Sequence, residues 1–148
     1  MTDCLTVIVP AVPVAQPRAK ASTFGGHTRM YTPTKTASGK THPIAAFKAC
    51  VQLAYRQACS LPPHAGPLRL SMVFVLPRPQ KLQKKKSPAD RIPHTTKPDA
   101  DNLQKSVMDA LSGLLFQDDR QVYSVMAWKW YAAKDEQPSV IIQAWREE

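Results

Sequence analysis

The chain reads as α+β: a single domain, residues 1–148, with two main helices packed on one mixed β-sheet. Three observations predict this. Two stretches place apolar residues every three to four positions, the spacing of a helix with one buried face. Four others are rich in β-branched and aromatic residues, and three of them are bounded by proline, as strands are. The length, 148 residues, suits one domain with a modest core, and no internal repeat divides it. The predicted order is strand, loop, helix, strand, helix, strand, strand.

The first strand is "LTVIVP", β-branched and stopped by Pro10. The next thirty residues, "AVPVAQPRAKASTFGGHTRMYTPTKTASGK", are an extended loop, with a loose hairpin at Gly25-Gly26. Arg18, Lys20, Arg29, Lys35 and Lys40 alternate there with Phe24 and Tyr31, a mixture that suits phosphates and bases but also suits a solvated loop. The first helix lies in "THPIAAFKACVQLAYRQACS". Pro43 fits its first turn, and Ile44, Phe47, Val51, Ala54, Tyr55 and Ala58 form its buried face. "LRLSMVFVLP" is a strand with apolar residues on both sides, so it is expected to be covered on both faces.

A basic loop follows, at about 78–97. It carries Arg78, Lys81, Lys84, Lys85, Lys86, Arg91 and Lys97 against one acid, Asp90. Its polarity and prolines predict a mobile surface loop. The second helix runs from Asp101 to about Leu114, its core stripe made by Leu103, Val107, Ala110, Leu111 and Leu114. Asp101, Lys105 and Asp109 share another face. The last two strands are "RQVYSVMAWKWYAAKD" and "QPSVIIQAWREE", and "KDEQP" between them reads as a hairpin turn.

Lysine and arginine outnumber acids 20 to 11, and the formal charge of +9 attracts polyanions, nucleic acid first among them. The three cysteines, Cys4, Cys50 and Cys59, have no metal-knuckle spacing and read as thiols of a reducing compartment. The apolar run after Asp3 is too short for a signal peptide, and nothing approaches the roughly 20 apolar residues of a membrane span. A soluble, cytoplasmic protein without membrane partners is expected.

Five of the eleven acids gather around the second helix: Asp99, Asp101, Asp109, Asp118 and Asp119. The helix accounts for some of them. Asp101 reads as its N-cap, with Gln104 completing a capping box, and Asp109 as an i,i+4 partner of Lys105. Asp99 is surplus to that need. In an extended lead-in it points to the same side as Asp101, so both could converge on one cation. Converging carboxylates in a basic groove suit a hard divalent ion such as Mg²⁺, which takes oxygen ligands and uses substrate phosphate as another. A lysine such as Lys105 could stabilise the developing charge or the leaving oxygen. One gap remains. A helix of about 13 residues is roughly 20 Å long, so "QDD" falls nominally at its far end. Zinc is not indicated, because His27, His42, His64 and His94 are dispersed. His94 reads as an exposed loop histidine, with proton transfer or a phosphate contact as the alternative. No phosphate-binding G-x-x-x-x-G-K-[ST] loop is present.

"KPDADNLQKSVMDAL", followed by "DDRQV", closely resembles the RusA family of Holliday junction resolvases of prophages and bacteria. The family pattern is roughly D-x-D-N-L-x-K-x-x-x-D-x-L, then D-D-x-x-[VI]. Asp99, Asp101, Asn102, Leu103, Lys105, Asp109, Leu111, Asp118, Asp119 and Val122 meet it. "PRAKASTFGGHTRMYTP" is similar to the family's N-terminal region. The resemblance implies a RusA-like fold and a homodimer cutting four-way DNA junctions in recombination and repair. The cofactor it implies is Mg²⁺, with Mn²⁺ as a substitute. Asp99, Asp101 and Asp119 would be the catalytic, metal-holding acids and Lys105 the catalytic lysine, with Asp118 in a lesser role. Asp119 could come from the same subunit or the other. Arg18, Lys20, Arg29, Lys84, Lys85, Lys86 and Lys97 are the candidate DNA contacts. Two rivals stand beside this reading: a non-catalytic nucleic-acid-binding protein whose aspartates only cap and solvate a helix, and a nuclease for other branched DNA.

Overall fold

The main sheet has five strands in the order β1-β7-β4-β6-β5, in a computed structural model that describes residues 3–148. The elements are β1 (Asp3–Val9), β2 (Lys20–Phe24), β3 (His27–Tyr31), α1 (Ile44–Ala58), β4 (Leu68–Leu76), β5 (Ile92–Pro93), α2 (Ala100–Leu111), β6 (Val122–Tyr131) and β7 (Ser139–Arg146). β2 and β3 pair only with each other, as a separate hairpin. The α+β class and the element order match the sequence reading, and the loose hairpin at the two glycines is a regular one.

β4 is the centre of the sheet. Leu68, Leu70, Met72, Phe74, Val75 and Leu76 are buried, so both of its edges need a strand partner. It takes β7 antiparallel on one edge and β6 parallel on the other. This overturns the expected β6–β7 hairpin. The link after β6 passes over the carboxyl end of β4 instead, where the Ala132 amide donates to the Leu76 carbonyl at 2.8 Å. A parallel pair needs a crossover, and α2 with its long lead-in supplies it. α2 therefore runs opposite to β4 and β6, and its N-terminus lies at their carboxyl ends.

Both helices pack on one face of the sheet. Phe47, Val51 and Tyr55 of α1 and Leu103, Val107, Ala110 and Leu111 of α2 share a core with Val7, Val9, Leu70, Phe74 and Ile142. α2 starts two residues earlier than the expected cap implies. Asp99, extended at φ −72° and ψ 147°, is the N-cap residue, and Asp101 lies in the first turn. Gln104 completes no capping box; its amide meets the Met108 sulfur at 3.8 Å. The helix also stops at Leu111, and Gly113 at φ 80° reverses the chain in a left-handed conformation that suits glycine.

Among the described residues, the other face of the sheet carries no helix. Its exposed apolar side chains include Ile8, Met126 and Trp128. A cleft of about 720 Å³ lies there, lined by Ser71, Val73, Arg91, Trp128, Trp130 and Glu136.

The basic loop is organised rather than loose. The Arg78 guanidinium donates to the carbonyls of Leu82 at 2.8 Å, Asp90 at 3.1 Å and Ala132 at 3.3 Å, and also to that of Pro88. Arg91 grips the Glu136 carboxylate at 2.6–3.1 Å, which raises its own pKa and lowers that of Glu136. Two of the seven cations thus fold the loop. Lys81, Lys84, Lys85, Lys86 and Lys97 remain exposed.

Candidate active site

The lead-in to α2 is laid along the end of β6. Ile92 and Pro93 pair with Tyr131 and Trp130, and the His94 amide continues the ladder to the Lys129 carbonyl at 3.1 Å. Lys129 then clamps the chain from beneath. Its ammonium donates to the Thr96 carbonyl at 2.8 Å and to the Pro98 carbonyl at 2.7 Å, and lies 3.3 Å from His94 Nδ1. The His94 ring leans on Tyr131 at 4.4 Å, and the Tyr131 hydroxyl meets the Thr96 hydroxyl at 3.1 Å. His94 is buried, not an exposed loop residue, with 7% of its surface accessible. Burial and the neighbouring Lys129 charge push its pKa below the ordinary histidine value.

This clamp delivers Asp99 and Asp101 to the carboxyl end of the parallel strand pair, where open α/β sheets hold their ligands. Both side chains are exposed. Asp99 forms an ion pair with Arg18 at 3.5 Å. The segment carrying Arg18 is held there because the Gln16 amide donates to the Asn102 carbonyl at 3.0 Å. Arg18, Lys97, Pro98, Asp99 and Asn102 line a cleft of about 440 Å³. Among the described residues, Asp101 Oδ1 accepts from the next amide, Asn102, at 2.9 Å, and Oδ2 has no hydrogen-bond partner. Lys105 lies one turn further along the exposed face. Asp109 pairs with Lys48 of α1 at 3.8 Å rather than with Lys105, since the two helices are packed side by side. The larger cleft on the open sheet face belongs to a different region and holds neither Asp99 nor Asp101.

Asp118 and Asp119 stand at the start of β6, the opposite end. Asp118 caps a 3₁₀ turn at Asp119–Gln121: its carboxylate accepts from the Arg120 amide at 2.9 Å and from the Arg120 guanidinium at 2.8 and 3.0 Å. Those bonds hold the Asp118 carboxyl far below the usual carboxylate range. Gln121 closes the reciprocal bond and anchors the turn to the carbonyls of His64 and Gly66 at 2.8 and 3.0 Å. Asp119 is exposed. The seven steps along β6 from Val122 to Lys129, at about 3.3 Å each, put Asp119 roughly 20 Å from the start of α2. Among the described residues, no three of His, Cys, Asp and Glu lie close enough together to hold a metal. One chain therefore places Arg18 and Lys97 beside Asp99, with Asp101 in the following first turn of α2, and does not bring Asp119 to them.

Lys20 and Arg29 lie on the β2–β3 hairpin, and Lys84, Lys85 and Lys86 at the exposed tip of the basic loop, between β4 and α2. Sequence reasoning missed Lys129. Its signal was the register of "VMAWKW": Val125, Ala127 and Lys129 point to the same face, so a cation occupies a position that had to find acceptors.

A crossover strand pair with two carboxylates at its carboxyl end, beside arginine and lysine in a chain of net charge +9, defines a single-domain α+β protein built to meet an anionic substrate. Residues 10–143 match the model of the family "Endodeoxyribonuclease RusA", and the chain belongs to this family of DNA nucleases. The chain is also 34% identical over 143 residues to "Uncharacterized protein YqaN" of Bacillus subtilis (strain 168), an alignment that covers 93% of both chains. Among the described residues no helix is long and apolar enough to cross a membrane.

Proposed function

We propose that the chain is a Mg²⁺-dependent endonuclease that resolves four-way DNA junctions as a homodimer. One observation carries this reading. The clamp under residues 94–98 presents two hard oxygen donors, Asp99 and Asp101, at the end of the molecule that also carries Arg18, Lys97 and the basic loop.

Asp99 and Asp101 fit Mg²⁺, which commonly takes one or two carboxylates and completes its shell with water and substrate phosphate. When bound, the ion would polarise the scissile phosphodiester and the water that attacks it. The protein groups do the rest. Arg18, Lys97 and the Lys84–Lys86 tip hold phosphates and draw the strand over the cleft. Lys105, one turn beyond Asp101, faces the same solvent and would stabilise charge on the leaving oxygen. Lys129 fixes the lead-in from below and keeps Asp99 in place. Asp119 lies too far away to act within its own subunit, so a second copy would supply it. The helix-free sheet face, with Trp128, Met126 and Ile8, is a surface such a copy would cover. Two-fold symmetry fits a substrate cut on two opposed strands.

The test is subunit mixing on a labelled four-way junction with Mg²⁺, Mn²⁺ or EDTA. Asp101→Asn and Asp119→Asn are each expected to bind without cutting. If Asp119 acts across the dimer, a heterodimer of the two variants keeps one intact site and nicks a single strand. If both variants are inactive and mixing restores nothing, the shared site is wrong. Cutting of three-way or linear DNA as fast as four-way DNA would overturn junction selectivity. Tight binding with no cutting under either metal would return Asp101 to a structural role.

A further inference from the structure

The β2–β3 hairpin has two different faces. Its register pairs Lys20 with Tyr31, Ser22 with Arg29 and Phe24 with His27, and directly opposed residues share a face. Every ring and every cation of the two strands therefore lies on one side. The other side holds Ala21, Met30, Thr23 and Thr28, with no charge and no ring. Gly25 and Gly26, at φ 60° and 80°, make the tight two-residue turn, which places Phe24 and His27 at the tip.

Among the described residues, nothing in the fold covers this ring face. All ten strand residues are exposed, and Phe24 is 89% accessible. Neither strand joins the main sheet. Yet the root of the hairpin is fixed beside the carboxylates, through Gln16 on Asn102 and Arg18 on Asp99. An arm about 13 Å long, from Lys20 to Phe24, thus projects from the edge of the candidate site. Lys20 and Tyr31 at the root, Arg29 in the middle, and Phe24 and His27 at the tip match a strand whose phosphates are gripped and whose bases are stacked. Paired duplex offers no open base faces for such rings. Unpaired or unstacked nucleotides do.

We propose that this hairpin is a branch-reading arm: Lys20 and Arg29 hold the backbone of the strand leaving the cleft, and Phe24, backed by His27, stacks on an unpaired base at the branch point. The proposal rests on the reading of the chain as a junction nuclease and adds to it the element that tells branched from linear DNA. Phe24 is the specificity residue. It touches a base rather than the reacting phosphate.

The experiment measures binding of the full-length protein by fluorescence anisotropy in EDTA, so that cleavage does not intervene. The probes are a four-way junction, a duplex with a few unpaired nucleotides, and the same duplex fully paired. Phe24→Ala is expected to weaken binding to the first two roughly tenfold, as loss of one stacked base does, and to leave the paired duplex within about twofold. Phe24→Trp retains the preference. Met30→Ala, on the opposite face, leaves it unchanged while sharing any loosening of the hairpin. A 2-aminopurine placed at the branch point is quenched by the wild-type protein and not by Phe24→Ala. Equal loss on paired duplex, no loss on any probe, or Met30→Ala behaving like Phe24→Ala would each overturn the arm. Nicking assayed separately with Mg²⁺ keeps the two claims apart. A wild-type protein that shows the Phe24 pattern but never cuts DNA refutes the nuclease and leaves the arm; one that cuts but shows no Phe24 pattern does the reverse.

Discussion

Asp99 and Asp118 both stand at the cap of a helical turn, and the two caps are made differently. Asp118 spends its oxygens locally, on the Arg120 amide and guanidinium two residues away. Asp99 makes no side-chain cap bond and turns toward Arg18, 81 positions earlier in the chain. A carboxylate already satisfied by three donors has little to offer an ion. One held by position, with its oxygens in solvent, keeps that capacity. The difference separates a carboxylate that builds a turn from one that is available for chemistry, although the two motifs, "DAD" and "DD", look equally acidic.

The largest expected effect tests this directly. On the proposed reading, Asp101→Asn should lower junction cleavage about a thousandfold or more while junction binding stays intact, because it would remove an oxygen ligand without removing a phosphate contact. Asp118→Ala should leave cleavage within a few-fold and lower the melting temperature, since it unmakes a cap. Timed nicking assays with a thermal melt of each variant check both. If Asp118→Ala also abolishes cleavage, the distinction between the two caps is wrong.

The body of α2 links the two ends. Leu103 is fully buried one turn after Asp99, and Leu103→Ala should cost about 3 kcal/mol of unfolding free energy, read from urea denaturation. Its effect should fall on stability, with the specific activity of the folded fraction retained. An activity loss larger than the unfolded fraction would mean that the helix start shifts when its first core contact is lost.

Much of this was legible in the sequence, and the failures have physical causes. Periodicity located both helices and every main-sheet strand except the two-residue β5, because those segments bury one face and their spacing records it. It could not show that β4 would separate β6 from β7, since strand order depends on which edges need partners and not on which strands are adjacent in the chain. The basic loop read as structureless because Arg78 and Arg91 look like any other cations until their carbonyls and carboxylate are found. The placement of Asp99 and Asp101 at the start of α2 was legible through their spacing, and their role rests on the likeness that spacing carried. The roughly 20 Å to Asp119 was legible too, as an unresolved gap, and the parallel run of β4 and β6 now gives that gap its reason. Lys129 was not legible, because its role is set by carbonyls more than thirty positions away.

That lysine gives the third and smaller effect. Lys129→Met leaves the Thr96 and Pro98 carbonyls without their shared donor and lets the lead-in shift. Cleavage at saturating junction should fall about tenfold, with the binding constant within about twofold, as expected when positioning is lost rather than affinity. Lys129→Arg should recover part of the rate. A matched fall in binding would make Lys129 a DNA contact instead.

The smallest effect is a pH dependence seated in the same clamp. His94 is buried beside the Lys129 ammonium, and both burial and that charge depress its folded pKa below the value near 6.5 of the unfolded chain. A base whose folded pKa is depressed binds fewer protons when folded, so unfolding is favoured as protons become available. The stability it contributes is fully present above about pH 6.5 and declines as the pH falls below that value toward the folded pKa. Urea midpoints of the wild-type protein should therefore drop between about pH 7.5 and pH 5, and the drop should be shallower in His94→Gln. Lys129→Met should also make it shallower, since the charge that opposes protonation is gone. The Asp118 end should not contribute to this window, because its carboxyl titrates far lower. If His94→Gln and the wild type show the same pH profile, acid sensitivity originates outside the clamp, and the His94–Lys129 contact holds the lead-in without setting its response to pH.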